Sequence, residues 1–284
     1  MRTETLTLQH QSILEPRLKK LGLNLSEYAF SNVYLFRNFH KTRIMYGEDV
    51  YLSGVTRKGE SFCTPLTPVN DLKIGEIKGL LKDFDFFYPV PEDWLPFFHS
   101  KGFRSFYDEG DSDYLFTSQK LKSYPGRHLS SRRNLLKQFK EIYPNHHSFP
   151  LDKNNLSDAL VVLENWQTGH SFNPILSDYE ACKEALQLFD VLKIEGHVTY
   201  VEEGKPGGFV LGQSLNEQTF AFLFAKGLKG YKGIYQYLYS EFANSVENKC
   251  QFINLEQDLG SAELAHAKRA YHPDELLRKH RLQI

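Results

Sequence analysis

One pattern in the chain occurs twice at the same offset, and it limits the folds that these residues can form. In the first half a strand-like segment, SFCTPLT, leads through PVNDLKI to Gly75 and the short helical segment EIKGLLKD. In the second half TFAFLFAK leads through GLKGYK to Gly233 and the helical segment IYQYLYSEFANSV. Phe62 and Phe220 lie 158 positions apart, and Gly75 and Gly233 share that offset. The pattern therefore predicts an internal duplication.

The segments around this pattern follow a similar order in both halves. A helical period over 25–39 precedes the strand-like segments TRIMYG and DVYLSGV in the first half. In the second half, helical segments near 129–140, 156–167 and 178–189 precede VLKIEG, HVTYVEEG and GFVLGQSL. The turn EEGKPGG at 202–208 is a strong hairpin signal. Helices, an antiparallel meander and then helix–strand–helix–strand indicate a mixed α/β chain of the α+β class.

Each half is expected to close with its own final strand, YLFTSQKL in the first and LLRKHRLQI in the second. Between them KSYPG (122–126) indicates a turn or linker, because Pro and Gly interrupt regular structure. The order of segments is that of the acetyltransferase-like (GNAT) fold. We therefore predict two tandem, duplicated domains, residues 1–121 and residues 122–284, each a mixed and mainly antiparallel sheet flanked by helices.

Composition and charge exclude several classes of protein. The 284 residues are 41% hydrophobic and carry a formal net charge of −1, which argues against a polycation that coats nucleic acid. Cys63, Cys182 and Cys250 form no C-x-x-C pair, and the histidines include no H-E-x-x-H, so no metal site is predicted. No apolar run reaches the roughly 18 residues of a membrane span. The expectation is a soluble, cytoplasmic protein, and the oligomeric state is not indicated.

The stretch FINLEQDLGSAELAHAKRAYHP resembles the closing signature of the phosphatidylglycerol lysyltransferase C-terminal domain family. In that signature a strand leads to an Asn-x-Glu-Gln-Asp-Leu-Gly turn, and a helix with a Lys follows and ends in Tyr-x-Pro. YAFSNVYLFR (28–37) is similar to the family's N-terminal helix motif, and YPGRHLSSRRNLLKQF (124–139) to its basic helix between domains. The matching residues of the signature are Asn254, Glu256, Gln257, Asp258, Leu259, Gly260, Lys268, Tyr271 and Pro273.

The resemblance implies tandem acetyltransferase-like domains, related to enzymes that move amino acids from aminoacyl-tRNA onto peptidoglycan precursors. It also implies transfer chemistry, because the best-known members move lysine or alanine from charged tRNA to a lipid head group. Those members carry a membrane domain of several spans ahead of this module, and this sequence shows none. The acceptor therefore stays open between a lipid head group and a small molecule.

The closing signature holds the residues that transfer chemistry would need. In the implied fold two central strands diverge and hold the reacting acyl group, and an attacking amine or hydroxyl needs a base and donors for the oxyanion. Glu256 or Asp258 is the candidate base or ammonium ligand, and Lys268 is the candidate anion ligand. Asn254 is a further catalytic candidate, and it is unusual inside a strand because a buried amide needs partners. The structural alternative is that Asp258 caps the following helix and Glu256 pairs with a basic residue.

The segment AKGLKGYKGIYQYL places lysines and glycines directly before a helix. Backbone amides at a helix start favour a phosphate, which belongs to coenzyme A or to the acceptor end of a tRNA. The usual Gln/Arg-x-x-Gly-x-Gly/Ala pattern of acetyltransferases is not reproduced, and a flexible turn with solvated lysines is the structural alternative. The candidate ligands of a donor phosphate are Lys226, Lys229, Gly230, Lys232 and Gly233.

Two further segments suggest contacts with substrates. The basic helix that begins near 129 carries Arg132 and Arg133, which are candidates for contacts with tRNA phosphates, although basic faces are often plain solvated surface. Trp166, His170 and Tyr271 are candidates for lining a substrate cleft, and a Trp at such a place is more often part of a core.

The leading hypothesis is an acyltransferase whose active site lies in the second half, with the first half as a degenerate, supporting copy. It would move an aminoacyl group from aminoacyl-tRNA to an amine or hydroxyl, with no permanently bound cofactor. Two alternatives stay open: an N-acyltransferase that uses acyl-coenzyme A, and a non-catalytic binding protein on the same fold.

Overall fold

The structure of the chain, a computed structural model, describes residues 1–169, 177–202 and 204–284. The helices are α1 (Gln11–Leu21), α2 (Phe30–Leu35), α3 (Arg37–His40), α4 (Ile74–Leu80), α5 (Leu95–His99), α6 (Ser118–Ser123), α7 (Ser130–Ile142), α8 (Leu156–Thr168), α9 (Tyr179–Gln187), α10 (Ile234–Val246) and α11 (Ala262–Arg269). The strands are β1 (Arg2–Thr5), β2 (Arg43–Tyr46), β3 (Val50–Val55), β4 (Ser61–Pro65), β5 (Phe86–Pro91), β6 (Arg104–Tyr107), β7 (Asp113–Thr117), β8 (His147–Pro150), β9 (Glu195–Glu202), β10 (Lys205–Ser214), β11 (Thr219–Gly227), β12 (Phe252–Asn254), β13 (Glu275–Leu277) and β14 (Lys279–Gln283).

The described chain divides into two compact units. The first unit comprises Met1–Tyr114, Gln257–Ala265 and Leu276–Ile284, and the second comprises Leu115–Glu256 and His266–Glu275. The sequence suggests a single division between residues 121 and 122. In the structure the first division falls earlier, and the first unit also includes two segments from the end of the chain.

Each unit contains one mixed sheet, and the two sheets have the same order of strands. The first sheet runs β1-β2-β3-β4-β5-β14-β6, and the second, read from its other edge, runs β8-β9-β10-β11-β12-β7-β13. In each sheet three antiparallel pairings lead to one parallel pair, β4 with β5 and β11 with β12. Phe62 and Phe220, which share the offset in the sequence, both lie in these parallel pairs. The duplication therefore extends from the sequence to the sheet topology.

The prediction that each half closes with its own final strand is wrong. β7 ends at Thr117, the chain continues as α6, and β7 pairs with β12 in the second sheet. β14 lies between β5 and β6 in the first sheet. Alternation along a strand predicts that a strand forms, but it does not identify the neighbour with which that strand pairs.

Ion pairs hold β14 in the first sheet. Lys279 is fully buried, and its Nζ lies 2.6 Å from Asp113 Oδ1 and 2.6 Å from Glu27 Oε1. Burial lowers the pKa of Lys279, but the two carboxylates raise it further, so the net pKa lies above its ordinary value. Two residues further along, Arg281 Nη2 lies 2.6 Å from Asp111 Oδ2. A buried cation needs such partners, so these pairs specify which sheet β14 joins.

Three predicted helical segments match helices of the structure, whereas the helical period over 25–39 is divided between α2 and α3. The segments expected near 129–140, 156–167 and 178–189 correspond to α7, α8 and α9. In the second unit α10 packs on the sheet through Phe242, whose ring lies 5.7 Å from that of Phe220. None of the helices formed by the described residues is both long and apolar enough to span a bilayer.

Candidate active site

The parallel pair of the second unit opens into a wedge. β12 is three residues long, and its register with β11 runs from Thr219↔Phe252 to Ala221↔Asn254. β11 continues to Gly227 without β12 beside it. The two strands therefore part after Ala221 and Asn254, as predicted. Each strand then leads into one of the two motifs that the sequence singled out.

A β-bulge in β11 changes the direction of the side chains beyond the wedge. Leu211 is opposite Phe224 and Gly212 is opposite Phe222, so Leu223 is the extra residue. An extra residue reverses the alternation of faces in the rest of the strand. Phe222 contacts α10 through Phe242, with ring centroids 4.9 Å apart. After the bulge Lys226 lies on the opposite face, towards α8.

The segment between β11 and α10, residues 227–233, is called the glycine turn. Gly230 and Gly233 have φ values of 103° and 83°, which few other residues adopt without strain. At Gly233 a Cβ atom would also lie 2.4 Å from the carbonyl oxygen of Leu135 in α7. Glycine is therefore required both for the conformation and for the close approach of α7.

An open pocket of 510 Å³ lies at the glycine turn and is lined by residues 227–236. It includes the first residues of α10, where the Ile234 N–H donates to the Tyr231 carbonyl oxygen at 3.2 Å and the next N–H groups have no partner one turn earlier in the helix. Such a helix start carries a partial positive charge and favours an anion. The pocket is therefore suited to a phosphate group.

The three lysines of this region have different environments. Lys226 is 4% exposed, and its Nζ lies 2.7 Å from Asp178 Oδ1 and 3.8 Å from the centre of the Trp166 ring. Lys229 donates a hydrogen bond of 2.7 Å to the carbonyl oxygen of Gly169, at the end of α8. Lys232 is exposed and has no side-chain contact among the described residues. The structure therefore brings Lys232 to the pocket and does not bring Lys226 there.

Asn254, Glu256 and Lys268 meet at the end of β12. Asn254 is fully buried, and its Oδ1 accepts a hydrogen bond of 2.6 Å from the Glu256 N–H. This bond holds Glu256 at a φ of 58°, a value that is uncommon for a residue with a side chain. Lys268 Nζ donates to the carbonyl oxygens of Leu255 and Glu256, at 2.7 and 3.1 Å. The buried amide and the lysine thus fix the backbone that carries the Glu256 side chain.

Asp258 belongs to the first unit, where it is 2% exposed. Its Oδ2 accepts a hydrogen bond of 2.6 Å from the Tyr114 hydroxyl, and its Oδ1 accepts one of 2.8 Å from the Gly260 N–H. Both oxygens therefore hold the turn that precedes α11. Asp258 does not cap α11, because Ser261 does: the Ser261 Oγ accepts the Leu264 N–H at 3.4 Å. The structural alternative is therefore corrected to a role of Asp258 in the turn before the helix.

The remaining candidates lie in the second unit, apart from His170, which falls outside the described residues. Arg132 Nε donates to the carbonyl oxygen of Ala270 at 3.4 Å, and Arg133 Nη1 donates to that of Gly126 at 3.0 Å. Tyr271 is 5% exposed and accepts a hydrogen bond of 2.8 Å from Gln236. Burial raises its pKa to about 12. The structure therefore places Tyr271 in a core rather than beside open space.

The corresponding strands of the first unit are bridged by side chains. The Thr64 hydroxyl donates to the carbonyl oxygen of Tyr88 at 2.6 Å, and the Tyr28 hydroxyl donates to that of Pro89 at 2.7 Å. Tyr28 and Tyr88 are buried. These bonds lie directly beyond the last pair of β4 and β5, Cys63↔Phe87, and β5 is the equivalent of the strand that leads to Glu256 in the second unit.

Sequence analysis missed Asp178 and Tyr143. Asp178 neutralises Lys226, and a carboxylate far away in the sequence gives no local signal of such a pair. Tyr143 contacts the glycine turn through its hydroxyl, which donates to the Gly230 carbonyl at 3.1 Å. Its position directly after the basic helix was the one available signal. No group of three or more metal-ligating side chains occurs in the ranges that the structure describes.

Comparison with known proteins identifies related chains that match over nearly the whole length of this one. The sequence profile of the family described as phosphatidylglycerol lysyltransferase, C-terminal, matches residues 19–282. An uncharacterized protein of Mycoplasmoides gallisepticum is 21% identical over 310 aligned positions, which cover 99% of each chain.

Two solved structures have the same fold. A protein of unknown function from Bacteroides thetaiotaomicron superposes with a TM-score of 0.86 at 20% identity, over 99% of both chains. L-PGS from Bacillus licheniformis superposes with a TM-score of 0.62 at 15% identity, over 95% of this chain and 90% of that one. At these identities the likeness concerns the fold alone. The predicted fold, with two acetyltransferase-like sheets in tandem, is confirmed.

Proposed function

The chain belongs to the phosphatidylglycerol lysyltransferase C-terminal family, and from that premise we propose that it transfers an aminoacyl group from aminoacyl-tRNA to an amine or hydroxyl acceptor. The proposal is carried by one observation: the open pocket and Glu256 follow the two strands of one diverging pair. A donor bound in the pocket presents its ester carbonyl group towards Glu256.

The donor end of the site is the glycine turn with the start of α10. A phosphate of the tRNA acceptor end binds the N–H groups at this helix start, and Lys232 supplies a positive charge. Lys229 adds a second charge beside the C-terminus of α8. Arg133 and Lys137 on the exposed face of α7 extend the basic surface away from the pocket. Binding that depends on phosphates weakens steeply as salt increases.

The reacting end of the site is Glu256. The acceptor nitrogen or oxygen attacks the ester carbonyl carbon, and the bond from that carbon to the ribose oxygen breaks. Glu256 takes the proton of the acceptor and returns it to the leaving ribose oxygen. A positioned carboxylate of this kind accelerates a reaction by about 10²–10⁴-fold. Asn254 and Lys268 are positioning residues in this scheme, because both bind the backbone around Glu256.

A transfer assay tests the proposal. The chain is incubated with tRNA charged with labelled amino acids, and with either phospholipid vesicles or a mixture of small amines. We expect label to leave the tRNA and to appear in one acceptor fraction. We expect Glu256→Gln to slow the transfer by about 10²–10⁴-fold. Glu263→Gln, at an exposed position of α11, is the matched control and should leave the rate unchanged.

The same assay separates the alternatives. Release of free thiol from acyl-coenzyme A, with no loss of label from any charged tRNA, would contradict the choice of donor. Transfer from neither donor would contradict the enzymatic proposal and leave a binding protein on this fold.

A further inference from the structure

Tyr143 lies at the point where the basic helix α7 meets the glycine turn. It directly follows the last residue of α7, and its ring packs against that of Phe139 with centroids 5.1 Å apart. On its other side the ring of Tyr231, in the glycine turn, stands edge-on at 5.5 Å. The aromatic ring is therefore held between the helix and the turn.

The Tyr143 hydroxyl bonds to the turn twice. It donates to the Gly230 carbonyl oxygen at 3.1 Å, and it accepts from the Lys232 N–H at 3.2 Å. A phenolic hydroxyl is both a donor and an acceptor, so it makes both bonds at once. It thereby links backbone groups on either side of Tyr231, which is the role of a hydrogen bond within a turn.

A second contact fixes the other end of the glycine turn against the same helix. The carbonyl oxygen of Leu135, one of the middle residues of α7, comes so close to Gly233 that no side chain fits between them. The turn therefore has one contact with α7 at Gly233 and another through Tyr143 at Gly230 and Lys232. Between these contacts the Tyr231 carbonyl oxygen accepts one backbone hydrogen bond, of 3.2 Å, from the Ile234 N–H.

We propose that Tyr143 is a positioning residue that holds the glycine turn in the conformation that binds a phosphate group of the donor. The ligand class is a phosphodiester or pyrophosphate, which the acceptor end of a tRNA and coenzyme A share. The identity of the ligand rests on the proposed function. The two hydrogen bonds between the Tyr143 hydroxyl and the glycine turn are a property of the chain itself.

The physical reason is the conformational freedom of the glycine backbone in the turn. Without the hydroxyl, the Gly230 carbonyl and the Lys232 N–H turn to water, and the turn gains conformations that binding must then remove. Loss of the hydroxyl should therefore lower affinity for the phosphate without removing any group that touches it. The stability of the unit should change little, because the Tyr143 ring and its contacts stay.

Tyr143→Phe in the full chain tests this directly, with Tyr200→Phe as the matched control. The Tyr200 hydroxyl bonds to Asp158, in the same unit, and not to the glycine turn. The first readout is amide hydrogen exchange of the turn, and it needs no ligand. The second is the dissociation constant for two probes, coenzyme A and an RNA hairpin that ends in single-stranded CCA. The third is the melting temperature.

We expect Tyr143→Phe to speed amide hydrogen exchange at Lys232. We also expect it to raise the dissociation constant of a bound probe by about tenfold, the effect of losing one or two neutral hydrogen bonds. The melting temperature should stay within about 3 °C of the wild type, since small stability changes shift it only by a few degrees. Tyr200→Phe should change neither exchange at the turn nor affinity.

Unchanged exchange at Lys232 would overturn the proposal whether or not a probe binds. Faster exchange with unchanged affinity for a probe that the wild type binds would also overturn it. Faster exchange in a protein that binds neither probe would support the hold of Tyr143 on the turn and contradict the proposed function instead.

Discussion

Lysines 226, 229 and 232 are evenly spaced, yet a substitution at each should have a different consequence. Lys226→Met keeps most of the apolar stem but removes a cation from Trp166 and a partner from Asp178. We expect it to lower the free energy of unfolding by about 1–3 kcal/mol, the range for a buried cation–π contact and a charged hydrogen bond. The Asp178 side chain is 39% exposed, which keeps the loss below that of a sealed ion pair.

Lys232→Met should leave the free energy of unfolding unchanged and weaken the binding of a phosphate-bearing donor. Its amino group has no contact among the described residues, so only a ligand is affected by its loss. Urea unfolding and donor titration of both variants measure the two effects. A Lys232→Met variant as unstable as Lys226→Met would contradict this assignment.

His197 should make the second unit sensitive to mild acid. Its Nδ1 is buried without a hydrogen-bond partner in the described part of the chain, and its ring packs edge-on against Phe242 at 5.5 Å. Burial lowers its pKa, with a smaller opposing effect from Glu195 and a smaller lowering effect from Lys249. The unfolded chain then binds protons more readily than the folded one, so stability is lost as the pH falls through the ordinary pKa of histidine, about 6.5.

The measurement is the free energy of unfolding at pH 7 and pH 5 for the wild type and for His197→Phe. We expect the substitution to reduce the loss of stability between these pH values. His266→Phe, at an exposed position, is the control and should keep the full loss. An equal loss in all three proteins would show that His197 does not carry this sensitivity.

The lysines also show that single residues do not predict the face of a strand on which a side chain lies. A strand of strict alternation would place Phe222 and Lys226 on the same face. The bulge at Leu223 reverses the faces on which the following side chains lie, and no residue type near it indicates an extra residue. For Asn254, in contrast, the sequence predicted that a buried amide needs a partner, and its Oδ1 accepts a hydrogen bond from the Glu256 N–H.

At the scale of elements, the contact between α7 and the start of α10 depends on glycine. Gly126 and Gly233 have φ values of 81° and 83°, but only Gly233 has a neighbour where a Cβ atom would be. Gly126→Ala should cost about 1–2 kcal/mol of unfolding free energy, the price of a left-handed backbone with a side chain. Gly233→Ala should cost about 1–3 kcal/mol more, because the Leu135 carbonyl must move away.

Urea unfolding of both alanine variants measures the difference, and the shared φ makes the pair a matched comparison. Gly233→Ala should also weaken donor binding, since the shift moves the start of α10. Equal losses of stability at the two glycines would contradict the close packing of α7 on the glycine turn.

The elements themselves were largely predictable from the sequence. α7 and α8 have apolar residues at helical spacing over three or more turns, α9 has them over about two and a half, and β11 is a run of apolar residues bounded by turn residues. The segment after β7, which forms α6, was predicted to continue the strand. The apolar residues Phe116 and Leu121 suit either a strand or a helix. Local pattern decides poorly where an apolar run is short.

At the scale of the whole chain, the exchange of final strands predicts how fragments behave. Residues 1–121 on their own lack β14, and Glu27 and Asp113 then lose Lys279. Two buried carboxylates without a cation cost several kcal/mol, so we expect this fragment to show no cooperative unfolding transition. The same fragment with residues 257–284 joined to its end by a flexible glycine–serine linker regains both missing segments of the first unit and should recover such a transition.

Circular dichroism during thermal unfolding distinguishes these outcomes. A linked peptide in which Lys279 is replaced, Lys279→Met, serves as the control and should restore less. Cooperative unfolding of residues 1–121 alone would contradict the importance of β14 for the first sheet.

Sequence analysis did not predict the exchange of the final strands, β7 and β14, between the two sheets. YLFTSQKL and LLRKHRLQI both have the composition of strands, and each was assigned to the half that it follows. The partners of β14 include Asp113 and Glu27, far away in the sequence, and an ion pair over such a distance leaves no local trace. The duplication itself was visible in the sequence, because both copies keep the same spacing.

The most direct test of the central claim is the pattern of amide hydrogen exchange in the wild-type chain, with and without an RNA hairpin whose 3′ end carries an amide-linked, non-hydrolysable amino acid. We predict that the ligand protects residues 227–236 and the segment around Glu256. Protection confined to the first unit, with unchanged exchange at the glycine turn of a chain that binds the hairpin, would contradict the account.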